Sequence, residues 1–215
     1  HHDMGIILAV FVVLLGVPFD LMSPRDFIQD PARWVRQMAK RNGEENLYTV
    51  VPNFAMELAA RYANPENVAE LKDLDLSRVD GVINGSEPVT VSSMKKFNEA
   101  FAPYGLPKTA IKPCYGMAEA TLFVSATQRN NEAKVIYVDR DELNAGHMKI
   151  VDQHAPNAVA QVSCGQVALS QWAAIVDAAE YDETGTGVEK ADGEVGEIWL
   201  HGLNIGAGYW NKPEE

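Results

Sequence analysis

Between residues 79 and 111 the chain runs through an apolar strand, an amphipathic helix and a second β-leaning stretch, and that alternation limits the possible folds more than any other feature. Val79 to Ile83 is the first strand and feeds the turn-forming Asn84-Gly85-Ser86-Glu87-Pro88. Met94, Phe97 and Phe101 give the following helix one apolar face. Thr109 to Ile111 leans towards β and is broken by Pro113. Strand, helix, strand in this order points to parallel βαβ units with both sheet faces covered. The loops 84–88 and 114–119 are then expected side by side at the carboxyl ends of neighbouring strands, where functional groups of α/β proteins gather.

The second loop carries an aromatic face, Tyr115, and an acceptor-only carboxylate, Glu119, around Gly116, Met117 and Ala118. That pairing suits a magnesium–nucleotide, because a ring can cover a base while a carboxylate holds a hard cation. The bland alternative is a tight turn with a solvated glutamate. Leu122-Phe123-Val124 then carries the chain back inside.

Upstream, residues 6–17 are uninterrupted apolar. The run is short of the ~20 residues a membrane helix needs, so it reads as a buried helix or strand, or else as a wall for an apolar ligand. Asp30-Pro31 is expected to cap a helix over Ala32 to Arg41, with Arg33, Arg36, Lys40 and Arg41 on its wet face. Tyr48 to Val51 reads as a strand, and Asn53 as the cap of a helix with Phe54, Leu58 and Tyr62 on one face. After Ser125 the pattern changes to short strands: Lys134 to Val138, Met148 to Val151, Ala158 to Ser163, Trp172 to Val176 and Val195 to Leu200. Asp192-Gly193 reads as a hairpin turn and the acidic stretch 177–194 as an exposed loop. The fold expected is α/β, a parallel βαβ subdomain followed by a β-rich, distorted-barrel subdomain. Its parts are 1–125, 126–162 and 163–215.

A net charge of −12 argues against nucleic acid and against anionic lipid as partners, since both need basic faces. Two cysteines, Cys114 and Cys164, give no disulfide framework and fit a reducing compartment, read as the cytoplasm. Cys114 reads as a small buried residue rather than a nucleophile. The chain lacks an initiator Met and a signal peptide and looks like a piece of something longer.

The ordered set of short motifs resembles the adenylate-forming superfamily, and within it the fatty acyl-AMP ligase branch. The motifs are His2-Asp3-Met4-Gly5, Pro52-Asn53-Phe54-Ala55, Asn84 to Pro88, Tyr115-Gly116-Met117-Ala118-Glu119-Ala120-Thr121, Val162-Ser163-Cys164-Gly165, and Gly196-Glu197-Ile198-Trp199-Leu200 with Gly208-Tyr209-Trp210. Each is weak alone; their order across nearly the whole chain is specific. Phe101-Ala-Pro-Tyr-Gly, Val138-Asp-Arg-Asp-Glu-Leu and Ala155-Pro-Asn-Ala-Val-Ala-Gln further look like ligases that activate meromycolic acids in mycolate-making actinobacteria.

The resemblance implies ATP and Mg2+ as cofactors, a long-chain fatty acid as substrate, and the acyl carrier domain of a polyketide synthase as partner. It implies Glu119 as the Mg2+ ligand and Tyr115 packed on adenine, with Gly116, Met117 and Ala118 letting the backbone approach the nucleotide. Asn84, Gly85, Ser86, Glu87 and Pro88 become the other adenine wall. His2 would stand near the reacting carboxylate, in a positional role because that acid is already ionised. Met4 and Gly5 would lie along the acyl chain, with the run 6–17 as tunnel wall. Residues 126–162 fall where the branch carries an insertion linked to poor transfer to free CoA. Much of the superfamily has Thr at Ala118; the branch shares the alanine. An acyl-CoA ligase and a non-catalytic binding module are the rival readings.

A phosphate-binding loop is expected upstream of residue 1, and a ribose-binding Asp, hinge and catalytic Lys beyond residue 215. The 215-residue chain alone is therefore expected to make no acyl-AMP. Pyrophosphate release by this chain from Mg-ATP and a fatty acid would overturn that.

Overall fold

The computed structural model describes residues 3–40 and 46–212. Helices α1 (Asp3–Leu15), α2 (Pro24–Gln29) and α3 (Pro31–Met38) lead into strand β1 (Leu47–Val51). Helix α4 (Asn53–Tyr62), strand β2 (Val79–Asn84), helix α5 (Val91–Phe101) and strand β3 (Ile111–Met117) follow. Next come β4 (Leu122–Ala126), β5 (Val135–Asp139), α6 (Arg140–Asn144), β6 (Ala158–Val162) and β7 (Gln166–Val167). Strand β8 (Gln171–Val176), helix α7 (Ala178–Thr184) and strand β9 (Glu197–Gly202) complete the regular elements.

The central sheet has the order β1-β2-β3-β4-β7. Its first three strands are parallel, as the βαβ pattern requires, with Val51 opposite Asn84 and Asn84 opposite Pro113. Helices α3, α4 and α5 lay Val35, Met38, Met56, Ala59, Phe97 and Phe101 on Val79, Val82 and Ile111, all buried. Phe97 stacks at 4.7 Å on Phe101 and at 5.8 Å on Trp34, so the predicted apolar face of α5 is the centre of the core. Thr90 caps α5 by accepting the Ser93 N–H.

Several expectations are corrected. Pro113 does not break its strand: it stands where β3 leaves β2 and begins to pair with β4, a place where a missing N–H costs nothing. Asn53 is not the cap of α4; Pro52 holds that place, which frees the Asn53 side chain for other work. The side of α4 that faces the core is Ala55, Met56 and Ala59, and Phe54 and Tyr62 are exposed. Asp30 precedes α3 but makes no capping bond; its carboxylate pairs with Arg36 at 2.6 Å, and the helix ends at Met38. Arg33 and Arg36 do form a wet, ion-paired face; Arg41 lies outside the described residues.

The run 6–17 is helical as far as Leu15 and is not buried. Val13 and Leu14 are each 78% exposed, and none of residues 4–15 is buried. Apolar composition states a preference for leaving water, not that a partner is at hand. No described helix is long and apolar enough to cross a membrane.

The second half is β-rich. Its strands pair as two separate ladders, β5 with β6 and β8 with β9, while β7 extends the main sheet. Met148 to Val151 is not a strand: it contributes one bridge, Ile150 to Val138. The stretch 177–194 is not all loop. Asp177 accepts the N–H groups of Ala179 and Glu180 and so opens α7, and its bond to Lys190 at 2.8 Å holds its carboxyl below the usual range. The Asp192-Gly193 turn forms, but Glu194 bridges to His147 instead of opening a hairpin.

Lys112 is the one buried cation among the described residues, 3% exposed. Its ammonium donates to the carbonyls of Gln128 (2.8 Å), Arg129 (2.5 Å) and Asn131 (3.0 Å), which ties the chain after β4 to the base of β3. Burial pulls its pKa below the usual lysine range, opposed by nearby Asp80. Lys112→Met would leave three carbonyls without their donor and should cost about 3 kcal/mol. The check is the urea midpoint at constant slope; a loss under about 1 kcal/mol would mean that water already serves those carbonyls.

Candidate functional site

The carboxyl ends of β1 and β2 stand level with Pro113 of β3, and Asn84 ties the three strands there. Asn84, fully buried, donates its side-chain amide to the Val51 carbonyl at 3.1 Å, while its backbone carbonyl accepts the Cys114 thiol at 3.4 Å. Its Oδ1 has no hydrogen-bond partner among the described residues. A Cβ at Gly85 would fall 2.7 Å from Cys114 Sγ, so any other residue there would have to displace that side chain. Ser86 takes a left-handed φ of 68° and its hydroxyl reaches Met4 Sδ at 3.7 Å, which brings the start of α1 to this loop. Glu87 and Pro88 are exposed. Asn53 pins the far end, donating to the Pro88 carbonyl at 2.8 Å and accepting the Thr90 N–H at 3.4 Å.

Beside that loop, β3 and β4 form a hairpin whose tip is a single 3-10 turn, Ala118–Ala120. Tyr115 lies on the hairpin, 37% exposed, with its hydroxyl 3.9 Å from Met117 Sδ. The hairpin closes tightly: a Cβ on Gly116 would sit 2.0 Å from the Leu122 carbonyl oxygen. Glu119 is exposed at the tip, next to Ala118. Its carboxylate accepts the Tyr209 hydroxyl, and its backbone carbonyl accepts Gly206 N–H at 2.7 Å. Thr121 Oγ1 donates to the Asn204 carbonyl and Asn204 Nδ2 to the Ala120 carbonyl, both at 2.6 Å.

Behind Glu119 opens a cavity of about 300 Å3, walled by Met117, Ala120, Ile198, Trp199, Leu200 and Ile205. Its walls are apolar and its rim carries the one carboxylate. The structure thus brings together Asn84 to Pro88, Tyr115 to Glu119 and Met4; Gly5 has open space beside it, and His2 lies outside the described residues.

No cluster of three or more His, Cys, Asp or Glu side chains gathers among the described residues. A cation at Glu119 would therefore share one carboxylate with a ligand's own oxygens. That is how Mg2+ is usually held on nucleotides, so the donor fits Mg2+ rather than zinc. The Cys114 thiol is pushed up to about 11, by burial first and by Cys164 second, and so stays protonated at neutral pH.

Sequence reasoning named Asn53 as a helix cap and both Asn53 and Tyr209 as members of short motifs, but gave neither its holding role, and it did not single out Asn204. The one available signal was proline: Pro52 directly before Asn53 takes the cap position and leaves the amide unused. Asn204 and Tyr209 lie more than 80 residues from the turn they grip, and no local pattern announces that grip.

Residues 1–210 match the family described as AMP-binding enzyme. The chain is 51% identical over all of its 215 residues to the long-chain-fatty-acid–AMP ligase FadD32 of Mycobacterium marinum, of which it spans 33%. A fatty acid AMP ligase from Legionella pneumophila, known from a crystal structure, superposes with a TM-score of 0.86 at 31% identity, covering 100% of this chain and 35% of that one. A fatty acyl-adenylate ligase of L. pneumophila, solved with acyl adenylate and pyrophosphate, gives 0.76 at 30% identity over 90% of this chain and 31% of that one.

Because the Gly116 clash is with backbone rather than with a yielding side chain, Gly116→Ala should cost about 2 kcal/mol. Its denaturation midpoint checks this; a wild-type midpoint would mean that the hairpin can open without cost.

Proposed function

The chain belongs to the AMP-binding enzyme family, and from that premise we propose that it is the central part of a long-chain fatty acyl-AMP ligase. The observation that carries this reading is the juxtaposition at the strand ends. A carboxylate held at a hairpin tip, an exposed tyrosine and a glycine-bearing loop converge there, with an uncovered apolar helix starting against that loop. The Mycobacterium marinum relative is named as a ligase of long-chain fatty acids and AMP, which supports the substrate class.

In this reading a carboxylate oxygen of the fatty acid attacks the α-phosphorus of ATP. The α–β bridge breaks, pyrophosphate leaves, and acyl-AMP remains. A carrier thiol, that of a polyketide synthase acyl carrier domain, then attacks the acyl carbonyl as its proton is lost to solvent, and AMP leaves. Two anions must meet, so the work of the protein is alignment and charge cancellation. Glu119 would hold Mg2+, whose charge offsets that of the triphosphate. Tyr115 would lie on the adenine, with Gly116, Met117 and Ala118 presenting backbone; Asn84 to Pro88 would form the facing wall, and Asn84 Oδ1 has acceptor capacity to spare. His2 would position the fatty carboxylate.

Met4 and Gly5 would start the acyl path and α1 continue it. Burial of the tail there is worth ~0.8 kcal/mol per CH2, so long chains can be held by their tails. Residues 126–162 would be the branch insertion. Ala133, Val135 and Val162 pack against the main core, which supports a segment fixed to the sheet. Free thiols at Cys114 and Cys164 favour a reducing compartment such as the cytoplasm.

The test uses the full-length protein that carries these residues, with Mg-ATP, a series of fatty acids, CoA and a carrier domain, products being resolved by mass. Acyl-AMP that accumulates with CoA present and moves only to the carrier is the expected result. Glu119→Ala should lower its formation by about 100-fold. Acyl-CoA as the main product would make the protein a CoA ligase, and no adenylate from any acid would leave a binding module.

A further inference from the structure

We infer that Tyr209 is a positioning residue for Glu119, and that segment 204–209 sets the attitude of that carboxylate before a cation arrives. The inference rests on the reading of Glu119 as a cation ligand.

The Glu119 turn is poorly able to hold itself. Within it, Thr121 N–H bonds back to the Ala118 carbonyl at 3.1 Å. Two successive residues then take left-handed φ angles, Thr121 at 51° and Leu122 at 76°. Neither a β-branched residue nor a leucine adopts that region unless its surroundings impose it. The surroundings here are residues 204–206, which bond Glu119 O, Ala120 O and Thr121 Oγ1 at 2.6 to 2.7 Å. All three bonds fix where the turn lies; none reaches the carboxylate.

Tyr209 supplies what they do not. Its hydroxyl donates to Glu119 Oε1 across 90 residues of sequence. Tyr209 is 53% exposed and Glu119 is exposed too, so burial does not force the pair together. A surface glutamate otherwise samples many rotamers and must surrender them on binding a cation; this one has surrendered them beforehand. Tyr209 bonds Oε1, one of the two oxygens of that carboxylate.

The test is Mn2+ binding to the full-length protein with a non-hydrolysable ATP analogue, read by electron paramagnetic resonance, alongside the metal dependence of pyrophosphate release. Tyr209→Phe removes one oxygen and keeps the ring. It should raise the Mn2+ dissociation constant by about 10-fold and shift half-saturation in parallel, with a smaller effect on kcat. Asn204→Ala, which cuts a backbone tether and leaves the phenol, should shift the same constant in the same direction by less, and decides the matter if Tyr209→Phe does not fold. In a Glu119→Gln background the Tyr209→Phe change should add nothing. A Tyr209→Phe protein with a lower melting point but wild-type Mn2+ affinity would overturn the inference alone. A Glu119→Gln protein with wild-type affinity would overturn the cation-ligand reading beneath it.

Discussion

Strand β3 serves two partners of opposite direction, and the position of the changeover decides the rest. Up to Pro113 it runs parallel to β2; from Cys114 it runs antiparallel to β4. A strand that ended with its parallel neighbours would leave a loop at the sheet edge. This one continues past them, folds back at Ala118 to Ala120, and projects a hairpin above the level of the other strand ends. Glu119 and Tyr115 stand on that projection, and the 84–88 loop beside it is positioned by the same strand through Cys114. Proline at the changeover is the residue least harmed by having no partner for its nitrogen, while its carbonyl still accepts Thr127 N–H at 3.0 Å.

What could be read from the sequence follows from the range of the forces involved. The βαβ unit was legible because helix and strand periodicities are local, and Met94, Phe97 and Phe101 fall inward as their spacing says. Of the expected loop 114–119 only the turn at Ala118–Ala120 forms, residues 114–117 continuing β3; loop 84–88 was legible because glycine and proline declare turns wherever they stand. Pro113 was misread for the same reason, as a local stop signal where the tertiary pairing offered a tolerant place. The short helices α6 and α7 went unseen among expected strands and loops, though each opens on an aspartate whose side chain accepts two backbone N–H groups. The grip of Asn204 and Tyr209 on the Glu119 turn had no local trace.

Helix α1 illustrates the converse. Its twelve-residue apolar run was visible at once, and residues 6–15 are helical despite the β-branched Ile6, Ile7, Val10, Val12 and Val13 among them. Composition fixes the solvent such a surface prefers but not which surface meets it, and the described chain leaves it open.

Lys112 has a further consequence. Its amine is sealed by three carbonyls at 3% exposure, whereas Lys95, Lys96 and Lys149 have side chains more than half exposed. Amine-directed reagents should therefore label those three in the native protein and pass Lys112 by. Its labelling rate becomes a clock for the opening of the junction between β3 and the segment after β4, readable by peptide mapping without any substitution at all.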